Sequence, residues 1–190
     1  MSNSQTSIRT SALSARKSLR GDDRRNASDA IAEKVCRMEE FAGAKRIGCY
    51  LSMKSEVDTA NILSRAWKEN LRIFVPVVRE NFEMEFRNFT RNTRTEQNSL
   101  GIEEPVDSEI IDSRELDIVI TPLVAFDNDR NRVGMGGGYY DREFSYLANT
   151  DQHQKPLLLG IAYDCQKVEK IAPNPWDIRL FRIFTEAAEY

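Results

Sequence analysis

The stretch GMGGGYYDR, residues 134–142, concentrates the residue types in this chain best suited to chemistry. Gly134, Gly136, Gly137 and Gly138 fall within five positions, and Tyr139, Tyr140, Asp141 and Arg142 follow at once. Glycines lack a Cβ and accept positive φ, so successive backbone N–H groups can point into one concavity. A helix starting directly afterwards adds partial positive charge, and the combination suits phosphate. On the glycines alone, a tight turn with close packing and no ligand is an equal reading. Asp141 alters the balance. It falls in the first helical turn, where a phosphate would also sit, and two such anions repel by about 4 kcal/mol at an effective dielectric near 20. A Mg²⁺ ion relieves that repulsion, because it favours one or two carboxylates together with phosphate oxygens. Otherwise Asp141 only complements the helix dipole, worth about 0.3–1 kcal/mol. Arg130, Arg132 and Arg142 close by favour the phosphate–metal reading.

Standard templates do not fit. Both the dinucleotide fingerprint and the Walker A pattern fail at Tyr139, where each requires glycine. DNDRNR, residues 127–132, begins like a calcium loop but lacks its glycine and its final glutamate: Arg132 and Gly138 stand there. Tyr139 and Tyr140 either stack on a heteroaromatic ligand or place one ring in the core. Trp176 reads as packing, and Asp177 as either a second acidic group or a turn residue. His153 is the only histidine, which argues against a histidine triad or multi-histidine metal site, and it reads as part of an exposed loop.

The 190 residues suit one domain, 1–190, with 41% hydrophobic and 30% charged residues. A net charge of −3 argues against broad nucleic-acid binding. No apolar run suits a bilayer and no secretion signal is visible. Cys36, Cys49 and Cys165 are scattered and read as reduced and buried, in a cytosolic protein. Residues 1–21 hold eight Ser/Thr, four Arg/Lys and no acid. That composition resembles a mitochondrial transit segment or belongs to a basic helix of the fold.

The elements that must position these groups follow from periodicity. A helix is expected over 6–20, with Ile8, Ala12, Ala15 and Leu19 on one side and Arg9, Arg16 and Arg20 on another. Ile31, Val35, Met38 and Phe41 mark a second helix ending at Gly43. A third carries Ile62, Leu63, Ala66 and Trp67, and a fourth spans 139–147. Strands are expected at 46–52, at 71–78 with Pro76 near an end, at 83–89, at 116–126 as the central strand, at 157–163 and at 179–186. Residues 90–115 read as irregular. The alternation predicts an α/β three-layer sandwich with a mostly parallel, Rossmann-like central sheet, whose ligands sit at the carboxyl ends of the strands.

LSMKSEVDT (51–59), VPVV (75–78), GIEEP (101–105), DIVITPLVAFDNDRNRVGMGGGYYDR (117–142) and WDIRL (176–180) together resemble the 5-formyltetrahydrofolate cyclo-ligase family over nearly the full chain. The resemblance implies ATP-driven closure of 5-formyltetrahydrofolate to 5,10-methenyltetrahydrofolate, with Mg²⁺ as cofactor and a phosphorylated formyl intermediate. It implies ATP-binding roles for Gln5, Arg9 and the run Arg132, Val133, Gly134, Met135, Gly136, Gly137, Gly138, Tyr139 and Tyr140. Leu51, Glu56 and Met135 to Tyr139 become substrate contacts, Asp141 and Asp177 become Mg²⁺ carboxylates, and Arg132 and Arg142 supply electrostatic stabilisation. No acid–base residue is assigned. Many relatives carry lysine where Gln5 stands, and some a basic residue at Gly137. The resemblance also makes 6–20 a helix of the fold rather than a transit peptide. The expected protein is a cytoplasmic monomer with no membrane or nucleic-acid partner. Two other readings are a non-catalytic folate or nucleotide binder and a phosphotransferase acting on another heterocycle. The acid pair favours an enzyme over the binder.

Overall fold

The structure is a computed structural model, and it describes residues 4–53, 55–79, 82–98, 101–148 and 154–190. His153 lies outside the described residues. Helices α1 (Gln5–Ser18), α2 (Gly21–Cys36) and α3 (Glu39–Ala42) precede β1 (Arg46–Cys49). Helix α4 (Ala60–Lys68) leads to β2 (Arg72–Val78) and β3 (Met84–Asn88). The segment expected to be irregular holds β4 (Thr95–Gln97), β5 (Glu103–Pro105), β6 (Ile110–Ile111) and a 3-10 turn at Ser113–Glu115. These pieces are two or three residues long, too short for periodicity to reveal. Then come β7 (Ile118–Pro122), β8 (Ala125–Phe126), β9 (Arg132–Val133), α5 (Tyr139–Glu143), β10 (Leu157–Ile161) and β11 (Arg182–Phe184).

Seven strands form the main sheet in the order β11-β10-β7-β1-β2-β3-β6. From β11 to β2 all neighbours are parallel, and β3 pairs antiparallel with both β2 and β6. The mostly parallel α/β sheet is therefore as the sequence pattern indicated. Its two faces are both buried, which explains the continuous apolar strands. Ile118 and Ile120 of β7, with Leu157 and Leu159 of β10, pack against Ile31 and Val35 of α2 and Ile62 and Ala66 of α4. The intervening Val119 and Leu158 face the other side, toward Phe86, Phe126 and Phe144.

Several boundaries differ from the sequence reading. The helix expected over 6–20 stops at Ser18, and Arg20 becomes the extended N-cap of α2. Arg20 therefore leaves the face shared by Arg9 and Arg16. Met38 is extended and separates α2 from α3, although its apolar spacing continues the pattern. The apolar run 116–126 is not one strand. After β7 the chain turns, and β8 pairs with β9 as a separate hairpin. Pro76 lies inside β2, paired with Phe86 of β3. The described β1 pairing ends at Phe74, so proline is tolerated beyond that parallel partner. Helix α5 covers only Tyr139–Glu143, and a 3-10 turn at Ser145–Leu147 completes the expected helical stretch. The cysteines are free, yet only Cys49 is buried; Cys36 is half-buried and Cys165 exposed.

Candidate functional site

The β8–β9 hairpin places the glycine loop. Asp127 closes the turn, accepting from the amides of Asp129 and Asn131 at 3.0 Å, from the Asn131 side chain at 3.0 Å and from the Ile171 amide at 2.9 Å. Its carboxylate is thus filled by donors of the turn and by the Ile171 amide, and among the described residues no group of three or more His, Cys, Asp or Glu is arranged to hold a metal. Ile8 and Ala12 of α1 pack on Val124, Ala125 and Val133 of the hairpin. That contact brings the amino-terminal helix beside the loop, a long-range placement that spacing alone does not reveal.

Beyond the hairpin the chain lines a cavity of about 730 Å³. Pro122 at the carboxyl end of β7 and Tyr50 just past β1 border it, which is where a parallel α/β sheet holds ligands. Gly134 to Gly138 form one wall. Gly136 has φ +103° and Gly138 φ +65°, conformations that a side chain makes costly. Gly137 serves close approach instead: a Cβ there would come within 2.7 Å of Tyr139 Cε2. Helix α5, with Gly138 as its N-cap, is a single short turn, and no side chain caps it.

Cations flank this wall. Arg9 donates from Nε to the Gly134 carbonyl at 2.8 Å and spreads its guanidinium over Gly136. Arg142 donates to the Gly137 carbonyl and stands over the rings of Phe82 and Tyr139 at 5.0 and 5.6 Å. Arg132 behaves differently. Its side chain is buried, donating to the Ile178 carbonyl at 2.6 Å and to Asp141 Oδ1 at 2.7 Å. Arg130 points away from the loop and donates to the Phe181 carbonyl at 2.8 Å.

Asp141 Oδ1 also accepts from the Ile178 amide at 3.1 Å, so it lies against the residue following Asp177. Asp177 Oδ2 accepts from the Asn174 amide at 2.8 Å and from Gln5 Nε2 at 3.2 Å. Asp177 is therefore a turn residue, and its carboxylate also lines the cavity. Both carboxylates line the cavity, with Gln5 and Arg9 beside them. Two carboxylates facing a space large enough for phosphate oxygens and water match the donor set that Mg²⁺ accepts.

The other end is more apolar, with Leu51, Pro76, Val78, Met84 and Leu123 along it. Glu56 sits there with its side chain largely buried. It accepts from the Met53 amide at 3.0 Å and lies 3.8 Å from Arg16 Nη1. Burial pushes its carboxyl above the ordinary range, and the Met53 N–H and Arg16 charge pull part of the way back.

The site residues expected from the sequence line this cavity, except Val133, which is buried against α1, and Arg130, which turns to the Phe181 carbonyl. Beyond the apolar lining, polar and aromatic side chains outside the expected set also contribute. Trp176, expected to pack, is 65% exposed at the cavity wall. Arg16, expected only to share a helix face with Arg9 and Arg20, is buried beside Glu56. Glu104 also borders the cavity, accepting from Asn98 at 2.8 Å. The GIEEP stretch that carries it belongs to the family resemblance, but no role follows from its residue types alone.

Fold and site together define an α/β protein with a glycine-walled, acid-paired cleft at the carboxyl ends of a parallel sheet. Residues 1–186 match the sequence model of the 5-formyltetrahydrofolate cyclo-ligase family. The 5-formyltetrahydrofolate cyclo-ligase of Haemophilus influenzae is 35% identical over 181 residues, covering 93% of this chain and 94% of that protein. That of Escherichia coli K12 is 33% identical over 174 residues, covering 90% and 93%. A solved structure, the 5,10-methenyltetrahydrofolate synthetase of Aquifex aeolicus, superposes with a TM-score of 0.83 at 29% identity, covering 97% of this chain and 91% of that one. The chain belongs to the 5-formyltetrahydrofolate cyclo-ligase family.

Proposed function

We propose that this protein uses ATP to close 5-formyltetrahydrofolate to 5,10-methenyltetrahydrofolate, releasing ADP and phosphate. One observation carries this reading: a glycine wall flanked by Arg9 and Arg142 and an apolar end holding a buried glutamate share one cavity. A triphosphate and a planar heterocycle can therefore meet in it.

The chemistry needs little covalent help from the protein. The formyl oxygen attacks the γ-phosphorus and the bond to ADP breaks. N10 then attacks the activated formyl carbon, the carbon–oxygen bond breaks with loss of phosphate, and N10 gives up its proton. Positioning and charge neutralisation supply most of the acceleration in such a transfer. The glycine wall offers backbone N–H groups without side-chain obstruction, and Arg9 and Arg142 spread positive charge along it. Asp141 and Asp177 would hold Mg²⁺, which when bound offsets charge on the triphosphate. Arg132 holds Asp141 in place rather than reaching the phosphates itself, since its donors already serve Ile178 and Asp141. Leu51 and Glu56 hold the folate.

We read the chain as one domain acting as a cytoplasmic monomer. Free cysteines support a reducing compartment, and among the described residues no helix is long and apolar enough to cross a membrane. Purified protein given ATP, Mg²⁺ and 5-formyltetrahydrofolate should develop the near-ultraviolet absorbance of the methenyl product. Omitting ATP should abolish it. Failure to form product at any enzyme concentration removes the assignment.

A further inference from the structure

Trp176 is 65% exposed on the cavity wall, and among the described residues no ring, cation or hydrogen-bond partner stands against its indole. The other tryptophan contrasts with it. Trp67 is half-buried, donates to the Phe89 carbonyl at 3.3 Å, tilts against the Phe89 ring at 5.9 Å and carries Arg91 over its face at 5.4 Å.

A single exposed apolar side chain is ordinary on a protein surface. Trp176, however, is carried by a tied turn. The Asp177 amide donates to the Asn174 carbonyl at 3.1 Å, and the Asn174 amide donates back to Asp177 Oδ2 at 2.8 Å. Pro173 and Pro175 restrict the backbone on either side of Asn174. Gln5 Nε2 fastens the turn to α1, donating to the Ala172 carbonyl at 3.3 Å and to Asp177 Oδ2 at 3.2 Å. The backbone that carries the ring is therefore preorganised, and a ligand meeting it has little chain to order.

The same helix sets the turn beside the glycine wall. Gln5 and Arg9 are four residues apart on α1, and Arg9 bonds the Gly134 carbonyl at 2.8 Å. Trp176 thus directly precedes one of the two carboxylates read as Mg²⁺ ligands, on a turn held next to the loop read as the phosphate wall. The glycine wall, Arg9, Arg142 and the carboxylates account for the phosphates of a nucleotide and leave its base unheld. An exposed indole face at the phosphate end fits that base, because every base offers a π-face for stacking.

We propose that Trp176 holds the nucleobase by stacking, its indole against the face of the adenine. This rests on the nucleotide reading of the same cavity and adds the base to the phosphates.

The binding test needs no turnover. ATP with Mg²⁺ should quench the intrinsic tryptophan fluorescence, and tripolyphosphate with Mg²⁺, which lacks a base, should not. Trp176→Phe, which keeps Trp67, should lose the quench. Calorimetric titration should show ATP binding weakened about 10-fold in Trp176→Ala and partly restored in Trp176→Phe, with tripolyphosphate binding alike in all three proteins. In steady-state kinetics the KM for ATP should rise about 10-fold in Trp176→Ala while that for 5-formyltetrahydrofolate holds. The thermal midpoint of ligand-free Trp176→Ala should also hold, because no ring contact is lost. Quenching that is absent or equal for ATP and tripolyphosphate, an unchanged ATP affinity, a raised folate KM instead, or a midpoint several degrees lower would each overturn the proposal. Absence of methenyl product from the unsubstituted protein sinks the ligase reading, and the comparison of ATP with tripolyphosphate then still decides the role of the indole.

Discussion

Arg132 and Asp141 form an ion pair at 2.7 Å, with the arginine side chain only 5% exposed and the aspartate 24%. The pair joins β9 to the first turn of α5 across the glycine loop. A buried guanidinium that loses its partner is costly, whereas a bonded one fixes the carboxylate that holds it. Asp141→Asn keeps the shape but removes the charge. We expect turnover to fall about 100-fold or more, with stability reduced by about 1–3 kcal/mol. A denaturant titration and a magnesium titration of turnover check both. Arg132→Met combined with Asp141→Asn should cost less than the sum of the two by at least about 0.5 kcal/mol. Strict additivity would mean that the pair does not act as a unit.

The glycines of the loop are not equivalent. A Cβ at Gly134 would meet nothing within 4 Å, and its φ is not positive. Gly134→Ala should leave stability within about 0.5 kcal/mol. Gly136→Ala should lose about 1–3 kcal/mol, because φ +103° strains any side chain, and its KM for ATP should rise as the wall distorts. Thermal melts and ATP titrations of the two variants separate these effects. Equal losses in both would show that backbone conformation is not what the loop requires of Gly136.

The glycine run, Asp141 and the apolar strands were legible because each carries a local signature. Four glycines ahead of helix-forming residues announce an unusual backbone, and continuous apolar runs announce strands buried on both faces. What the sequence could not display was direction. Arg9, Arg130, Arg132 and Arg142 all read as cations near a phosphate, and Arg16 shares a helix face with Arg9. In the fold, Arg9 and Arg142 reach the loop, while Arg16 turns to Glu56, Arg130 to Phe181 and Arg132 to Ile178 and Asp141. Trp176 departs from its expected packing for a similar reason. Large aromatic rings usually pack, and only the tertiary placement of its loop leaves this one at the cavity wall. The splitting of 116–126 into β7 and β8 lies beyond periodicity too, since both pieces are buried and equally apolar.

Gly48 lies in the middle of β1, where glycine normally weakens a strand. Here its size admits its neighbours: a Cβ would stand 2.9 Å from Phe86, 3.1 Å from Leu116 and 3.1 Å from Val119. All three are fully buried or nearly so and have little room to move. Gly48→Ala should therefore destabilise by about 1–3 kcal/mol despite alanine's better intrinsic propensity. Urea titration measures it. A neutral or stabilising outcome would mean that the β3 layer yields more readily than its packing implies.

Glu56 provides a test through pH. Its carboxyl is raised above the ordinary range by burial, against the pull of the Met53 amide and Arg16; Tyr50 and Tyr140 are the other ionisable groups coupled to it, and Tyr163 bonds its carbonyl. If the ionised form accepts from the substrate, kcat/KM for folate should fall on acidification with a midpoint above about 4.3, the usual glutamate value. Arg16→Gln removes the cation that favours ionisation, so that midpoint should move to higher pH, and Arg16→Lys should restore part of the shift. The stability linkage has a definite sign. A raised folded-state value means that the native protein takes up the proton first. The relative stabilisation from the protonated form is therefore complete below the unfolded value and disappears as pH rises through the folded one. Glu56→Gln should accordingly gain on the unsubstituted protein as pH climbs from about 4 toward neutrality, in urea titrations at matched ionic strength. An acid limb identical in the Arg16→Gln variant would show that Arg16 packs beside Glu56 without governing its charge.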